Sequence, residues 1–199
     1  MFNDKFGLTQ AVLDGRKTMT RRIFYIPDKL VPYLDIDDIF DIVDDCIIWK
    51  DKSDNIRMTF EPKYKVGEVV AIAQSYESVY NEKGLETMDM LVSGLKNHKG
   101  WQNKLFVAAG YMIHHIRITD IKIERLQDIS DEDCMKEGII HAYTNNNGIK
   151  IYHTPHTKRG YLSTDVAQEA FAFLINKVSG KGTWESNPYV FVYEFKLID

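Results

Sequence analysis

The sequence predicts an α+β fold, a small mixed β-barrel of about five or six strands with short flanking helices and insertions. Strand-like segments outnumber helical ones, and they do not alternate regularly with long helices as in a doubly wound parallel sheet. One strand-like segment moves its apolar residues from one face to the other midway, which is typical of the bulges that bend barrel strands. No Gly-rich dinucleotide motif or P-loop follows a strand, so folds built around those sites are disfavoured.

Length and composition indicate a single domain over 1–199. Of the 199 residues, 44% are apolar and 27% are charged, which excludes a disordered, collagenous or coiled-coil chain. The net charge of −4 gives no global sign of nucleic-acid binding, so any polyanion site must be local. No membrane span or signal peptide is visible, so we expect a cytoplasmic protein. Cys46 and Cys134 lie far apart, and we expect both to be reduced thiols.

The first half of the chain is predicted to contain a short helix, two strands and an acidic stretch. Apolar residues at helical spacing predict a helix over 8–14 that ends at Gly15. Alternating, β-branched or apolar residues predict strands over 17–25 and 69–76. The stretch 28–54 interleaves aspartates with isoleucines, which predicts a segment with one solvated face that covers an apolar face. A Ca²⁺ loop would need a different order of ligands.

The second half begins with a strand over 113–126. Ile116 and Ile118 would point to one face of this strand, whereas Ile121 and Ile123 would point to the other. Because side chains alternate between faces, this slip of one residue predicts a bulge or a bend in the strand.

Two helices and a last strand complete the predicted fold. Ser130 resembles the first residue of a capping box and starts a short helix that closes at Gly138. Asp165 is expected to cap a longer helix with Val166 on its buried face. A strand over 189–197 alternates apolar residues on one side.

Three acidic or polar segments are predicted as insertions near 28–60, 77–104 and 141–163. The second is expected to hold a short helix over 87–95, and the third is predicted as a loop with a turn at 145–148.

A cluster of basic and hydroxyl side chains follows the first helix in the segment 15–22 (GRKTMTRR). In a strand, Lys17 and Arg21 would face one way and Thr20 the other. If the chain is still turning after Gly15, Lys17 and Thr20 converge instead. One interpretation is an exposed edge strand that is protected by its charges. The other is an anion or nucleotide site in which arginines supply planar, bidentate donors.

The segment 15–22 resembles the signature of the ASCH domain family, in its phage-type and bacterial members, within the PUA-like superfamily. Three further blocks resemble this family in the same order: 64–70 (YKVGEVV), 124–133 (ERLQDISDED) followed by Glu137-Gly138, and 182–190 (GTWESNPYV). The resemblance extends nearly end to end, with the three insertions between the blocks. It implies a PUA-like β-barrel beside a cleft, and such clefts in the superfamily bind RNA or modified bases.

The resemblance also implies a candidate active site. One compact ASCH subfamily is an amidohydrolase that removes acetyl from N4-acetylcytidine with a Lys, a Thr three positions later and a Glu in the short helix. These residues correspond to Lys17, Thr20 and Glu137 in this sequence. By that analogy Thr20 is the nucleophile, Lys17 accepts its proton and Glu137 donates a proton to the leaving amine.

The run 72–76 (IAQSY) departs from the pattern of phage-type members. Ala73 stands where these members usually have Arg, and Gln74 where they have Glu. A glutamine cannot act as an acid or base, although it can hydrogen-bond the edge of a base. The aromatic rings of Tyr76 and Trp101 offer faces on which bases can stack.

No metal or cofactor is expected. His114 and His115 are adjacent in a predicted strand and therefore point to opposite faces. His153 and His156 lie in a loop without the further ligands that a zinc site needs. Cys134 has no obvious histidine partner that would make it a nucleophile.

Three functional hypotheses remain, and the sequence narrowly favours the first. It is a module that binds RNA, single-stranded nucleic acid or a modified nucleoside in a cleft. Its candidate ligand contacts are Arg16, Lys17, Arg21, Arg22, Gln74, Tyr76 and Trp101. The second is an amidohydrolase that deacylates an N4-acylated cytidine through Lys17, Thr20 and Glu137. The third is an accessory protein whose acidic insertion binds a protein partner.

Overall fold

The structure is a computed structural model that describes residues 2–25, 39–43, 46–51, 53–83, 94–155 and 160–199. Within these residues the chain forms antiparallel sheets and short helices. The strands are β1 (Met19–Ile23), β2 (Ile39–Val43), β3 (Cys46–Lys50), β4 (Ile56–Phe60), β5 (Val69–Ala71), β6 (His115–Arg125), β7 (Ile140–Thr144), β8 (Lys150–His153), β9 (Ser163–Thr164) and β10 (Tyr189–Leu197). The α-helices are α1 (Leu8–Leu13), α2 (Tyr76–Lys83), α3 (Asp131–Lys136) and α4 (Ala167–Val178).

A curled antiparallel sheet of order β1-β10-β6-β5 forms a half-barrel at the centre of the fold. Residues 190–193 of β10 are all buried, so both faces of this central strand are covered. The predicted α+β class is confirmed, and the half-barrel is compatible with the predicted small barrel. The prediction of about five or six strands is wrong: the described residues form ten, because two further three-stranded sheets, β2-β3-β4 and β7-β8-β9, accompany the half-barrel.

The predicted bulge in the long strand is present. Glu194 of β10 pairs with Asp120 of β6, whereas the next residue, Phe195, pairs with Ile118. Thr119 is thus the extra residue, and it lies between the buried Ile118 and Ile121. The extra residue lets both isoleucines face the core although their spacing is odd.

The aromatic ring of Phe24 connects the half-barrel to the sheet β2-β3-β4. It makes edge-on contacts with Phe40, Phe60 and Phe191, at centroid distances of 5.9, 4.8 and 5.0 Å. Ile47 on β3 is fully buried in the same core. The apolar side of the acidic stretch is therefore a packed sheet, in the part of that stretch that the structure describes.

One predicted strand and one predicted loop differ from the structure. The strand predicted over 69–76 ends at Ala71, and helix α2 begins at Tyr76. The Ser75 hydroxyl accepts a hydrogen bond from the backbone N–H of Ser78, which is how a serine starts a helix. The segment predicted as a polar loop over 141–163 instead contributes strands to the sheet β7-β8-β9 within its described residues, 141–155 and 160–163, with the expected turn at 145–148.

The start of α4 also differs from the prediction. Asp165 does not cap the helix: Val166 is the N-cap residue and its side chain makes no capping hydrogen bond. Val166 is exposed, and Ala167 takes the predicted buried position in its place. The helix predicted over 87–95 lies outside the described residues except for its last two positions.

No helix among the described residues is both long and apolar enough to cross a membrane. The cytoplasmic location stays a prediction.

Candidate functional site

Lys17 lies between α1 and β1, where the chain turns sharply after Gly15. The turn is held by the backbone N–H of Lys17, which donates to the carbonyl oxygen of Ala11 at 2.9 Å. The Lys17 side chain points into the protein and is 2% exposed. Its ammonium donates to the carbonyl oxygens of Met19 (2.7 Å) and Glu137 (2.8 Å) and to the Glu137 carboxylate (2.5 Å). All three N–H donors of the ammonium are therefore used.

Glu137 is the C-cap residue of α3, and its side chain is 7% exposed. The next residue, Gly138, has φ of +110°, a conformation that side-chain-bearing residues rarely adopt. A Cβ at Gly138 would lie 3.3 Å from Leu8 Cδ2 and 3.9 Å from Lys17 Cδ. Gly138 thus allows α3 to end directly against α1 and the Lys17 stem.

Replacing Gly138 by Ala should lower the free energy of unfolding by about 1–2 kcal/mol from backbone strain alone. Contact of the new methyl group with Leu8 should add to this loss. Gly67→Ala is the matched control, because Gly67 has φ of +87° but nothing within 4 Å of its added Cβ. Urea unfolding followed by circular dichroism checks this. Equal losses in the two variants would contradict the close packing at Gly138.

Arg21 lies at the centre of a group of three carboxylates. Its guanidinium hydrogen-bonds Glu124 (2.5 and 3.0 Å), Asp133 (3.2 Å) and Glu137 (3.3 Å). Lys122 also contacts Glu124 (2.9 Å) and Asp133 (3.3 Å). These three carboxylates therefore face Lys17, Arg21 and Lys122. Lys136 also contacts Asp133 (3.5 Å) and connects the cluster to Glu194 (3.4 Å).

The pKa values of the two buried cations, Lys17 and Arg21, are shifted in opposite directions. Burial lowers the pKa of Lys17, and the positive charges of Arg22 and Arg21 lower it further against the opposing effect of Glu137. Burial also acts against the charge of Arg21, but the surrounding carboxylates prevail and raise its pKa. The lysine is thus the cation of this cluster that is made easier to deprotonate.

All three sequence-predicted catalytic residues line one small cavity. It has a volume of about 40 Å³, and its polar lining includes Lys17, Thr20 and Glu137. The apolar part of the lining comes from Phe2, Leu8 and four residues of α4: Phe171, Leu174, Ile175 and Val178. Lys17 and Glu137 are 120 positions apart in the sequence, and they meet because α3 ends beside the turn that follows α1.

The predicted phosphate ligands are not arranged as an exposed cationic surface. Lys17 and Arg21 are buried and paired with carboxylates, so neither offers an unpaired cation to a phosphate at the surface, as the prediction requires. Arg16 is half-exposed, and its guanidinium pairs with Asp14 at 2.8 Å. Arg22 is half-buried and lines the small cavity.

The predicted base-contacting residues lie elsewhere. Gln74 is buried and lines a second cleft. Tyr76 is 3% exposed and packs with Val79 in a separate small core, so its ring is not available for stacking, contrary to the prediction. Trp101 is half-buried against Tyr80, with the ring centroids 5.7 Å apart.

Sequence reasoning missed the roles of Glu124, Asp133 and Lys122. Glu124 and Asp133 belong to a block that resembles the family, but nothing in their spacing indicates that they meet Arg21. The sequence feature that could have indicated these partners is the density of cations at 15–22, because a buried cation needs carboxylate partners.

Neither thiols nor metals provide an alternative centre among the described residues. Cys46 and Cys134 are free, and burial raises the pKa of the Cys134 thiol to about 12, which keeps it protonated and unreactive. No group of three or more potential metal ligands occurs within the described ranges. His156 lies outside them.

Comparisons of the chain with family models, curated proteins and solved structures find no match. A functional proposal therefore depends on the geometry of the Lys17 cavity and on the sequence motifs.

Proposed function

We propose that the chain is an amidohydrolase that removes a small acyl group from the exocyclic amine of a modified cytidine. The observation that carries this proposal is the buried contact between Lys17 and Glu137, at 2.5 Å, on a cavity that Thr20 also lines. The substrate class comes from the resemblance of four ordered sequence blocks to the ASCH family. The half-barrel is compatible with the PUA-like architecture that we propose on the same grounds.

The Lys17–Glu137 pair can supply both a base and an acid. Transfer of one proton from Lys17 Nζ to Glu137 Oε2 produces a neutral amine beside a carboxylic acid. Burial lowers the pKa of Lys17 and so acts in the direction of this transfer. The neutral amine then accepts the proton of the Thr20 hydroxyl, as a threonine nucleophile requires.

The reaction would proceed through an ester on Thr20. The Thr20 oxygen attacks the acyl carbonyl, the bond from this carbon to the exocyclic nitrogen breaks, and Glu137 gives its proton to the leaving amine. Water then attacks the ester and releases the carboxylic acid and the free Thr20 hydroxyl. Arg21 holds Glu137 in place through its contact at 3.3 Å.

The size of the cavity favours a short acyl group. A volume of 40 Å³ has room for about three water-sized groups. An acetyl group has three non-hydrogen atoms, and its methyl group would suit the apolar wall from α4.

The nucleic-acid-binding hypothesis has less support from the geometry, since two of its four phosphate ligands are buried in ion pairs. It stays a prediction, as does the role of the acidic insertion in binding a partner. The relevant segment lies partly outside the described residues.

The proposal is tested by incubating the pure protein with N4-acetylcytidine and following cytidine and acetate. We expect equal amounts of both products. Lys17→Ala should reduce the rate by about 10²–10⁴-fold, the usual contribution of a general base. Lys177→Ala, which removes an exposed lysine from α4, should have no effect. No release of cytidine by the wild-type protein would remove the support for this substrate.

The pH dependence of the rate should show the titration of Lys17. The mechanism needs one proton on the Lys17–Glu137 pair, so kcat/KM should fall as pH rises through the pKa of Lys17, which burial lowers from the ordinary 10.5. Glu137→Gln removes both the proton donor and the charge that opposes deprotonation of Lys17. It should therefore reduce kcat, and the remaining rate should rise with pH because only the neutral amine acts as a base. A profile that does not move in this variant would contradict the coupling of the two residues.

A further inference from the structure

A second cleft shares no lining residue with the Lys17 cavity. It has a volume of about 490 Å³, within the range of about 300–1,000 Å³ that is usual for small-molecule sites. It lies between the N-terminal residues of the chain, the start of α2 and the beginning of β6. Its polar lining includes Asp4, Gln74, Ser75, Glu82 and His114.

Gln74 contains a buried acceptor without a partner. The residue is 7% exposed, and its Oε1 has no hydrogen-bond partner in the part of the chain that the structure describes. Its Nε2 donates to Glu82 Oε2 at 3.3 Å, which fixes the orientation of the amide. The flipped amide would place oxygen against the Glu82 carboxylate, so the unpaired atom is the oxygen. A buried acceptor that lacks a donor costs free energy, which a ligand N–H group would recover.

Two carboxylates, those of Glu82 and Asp4, also line the cleft. The Glu82 carboxylate contacts His114 Nε2 at 2.5 Å, and its side chain is 44% exposed, so it can move. Gln74 Oε1 is buried, so a ligand reaches it only when Glu82 moves aside. The Asp4 carboxylate lies on the same cleft and is bound by Lys104 at 2.6 Å. A carboxylate has more lone-pair sites than these contacts use. The cleft thus offers several hydrogen-bond acceptors to a ligand that carries N–H donors.

We propose that this cleft binds a small molecule through an NH₂ group that donates to Gln74 Oε1 and to the Glu82 carboxylate. Two kinds of compound carry such a group in a planar, conjugated form, namely an aminated nucleobase and a guanidine. The proposal does not depend on the proposed hydrolase function, because the two sites have no residue in common.

Titrations followed by NMR can test this site with three probes. Cytidine carries the aromatic amine, agmatine carries the guanidinium, and uridine has the shape of cytidine with a carbonyl oxygen in place of the amine. We expect cytidine or agmatine, but not uridine, to shift the signals of the Gln74 side-chain amide and the His114 ring. The probe that binds identifies the source of the NH₂ group.

Gln74→Leu should weaken that binding by about tenfold or more, since the acceptor is removed. This variant also removes the unpaired oxygen, so its thermal midpoint should not fall below that of the wild type. Gln74→Met serves as a second variant, and Gln102→Leu, at an exposed glutamine outside the cleft, is the matched control. The site is overturned if neither probe binds at millimolar concentration, if uridine binds as tightly, if Gln74→Leu retains full affinity, or if only Lys17-cavity signals shift.

Discussion

Thr20→Val is expected to abolish the hydrolysis of N4-acetylcytidine and to leave the fold intact. Valine keeps the branched shape of the threonine side chain and loses only the hydroxyl that attacks the acyl carbon. Thr20 is half-buried in β1 and lines the cavity that holds Lys17 and Glu137. Loss of a nucleophile from a coupled group should reduce kcat by about 10³-fold or more.

Thr18→Val is the control for this variant. Thr18 is also half-buried, lies two positions away in the same segment and does not line the cavity. Its replacement should leave kcat near the wild-type value. Circular dichroism of both variants establishes that they are folded. Turnover near the wild-type rate in Thr20→Val would show that the hydroxyl is not the nucleophile.

Arg21→Leu is expected to cost about 3–5 kcal/mol in the free energy of unfolding, because it leaves buried carboxylates without their partner. Arg21 is the hydrogen-bond donor to Glu124, Asp133 and Glu137, and its side chain is 1% exposed. Such a loss is a large fraction of the about 5–15 kcal/mol that stabilises a typical domain. The variant should therefore unfold at a clearly lower urea concentration than the wild type.

Urea unfolding of Arg21→Leu and Arg16→Ala compares the loss of a buried arginine with the loss of a surface arginine of the same charge. Arg16 makes one ion pair on the surface, with a side chain that is 49% exposed, and its removal should cost less than about 1 kcal/mol. Arg21→Lys should fall between the two variants because it retains the charge without the planar fork. Similar midpoints for Arg21→Leu and Arg16→Ala would contradict the structural role of the carboxylate cluster.

The parts of the fold that could be predicted from the sequence are those with long, regular patterns. The strand predicted over 189–197 matches β10 at both ends because apolar residues alternate over its whole length. The bulge was predictable because Ile118 and Ile121 are an odd number of positions apart. Both can face one core only if the strand contains an extra residue between them. The end of the short strand β5 could not be predicted, because the apolar run in the sequence continues beyond Ala71. Helix α2 starts at a hydrogen bond of Ser75, and no periodic pattern in the sequence indicates this bond.

The candidate site was predictable only in part. Composition and spacing identify the basic segment, but they cannot decide whether its cations face solvent or the core. The structure places Arg21 against Glu124 and Asp133, which come from β6 and α3, more than 100 positions away. The family resemblance names Lys17 and Glu137 as candidates, but the sequence does not show that they meet. Contacts at that separation depend on how the elements pack, and one sequence contains little information about it.

The most direct test of the proposed mechanism is to look for the acyl group on Thr20. Wild-type protein is mixed with N4-acetylcytidine, quenched rapidly in acid, digested and analysed by mass spectrometry. The mechanism predicts an acetyl ester on the peptide that contains Thr20, and none in Thr20→Val or Lys17→Ala. Release of cytidine with no acetyl group on this peptide, together with full turnover by Thr20→Val, would contradict it.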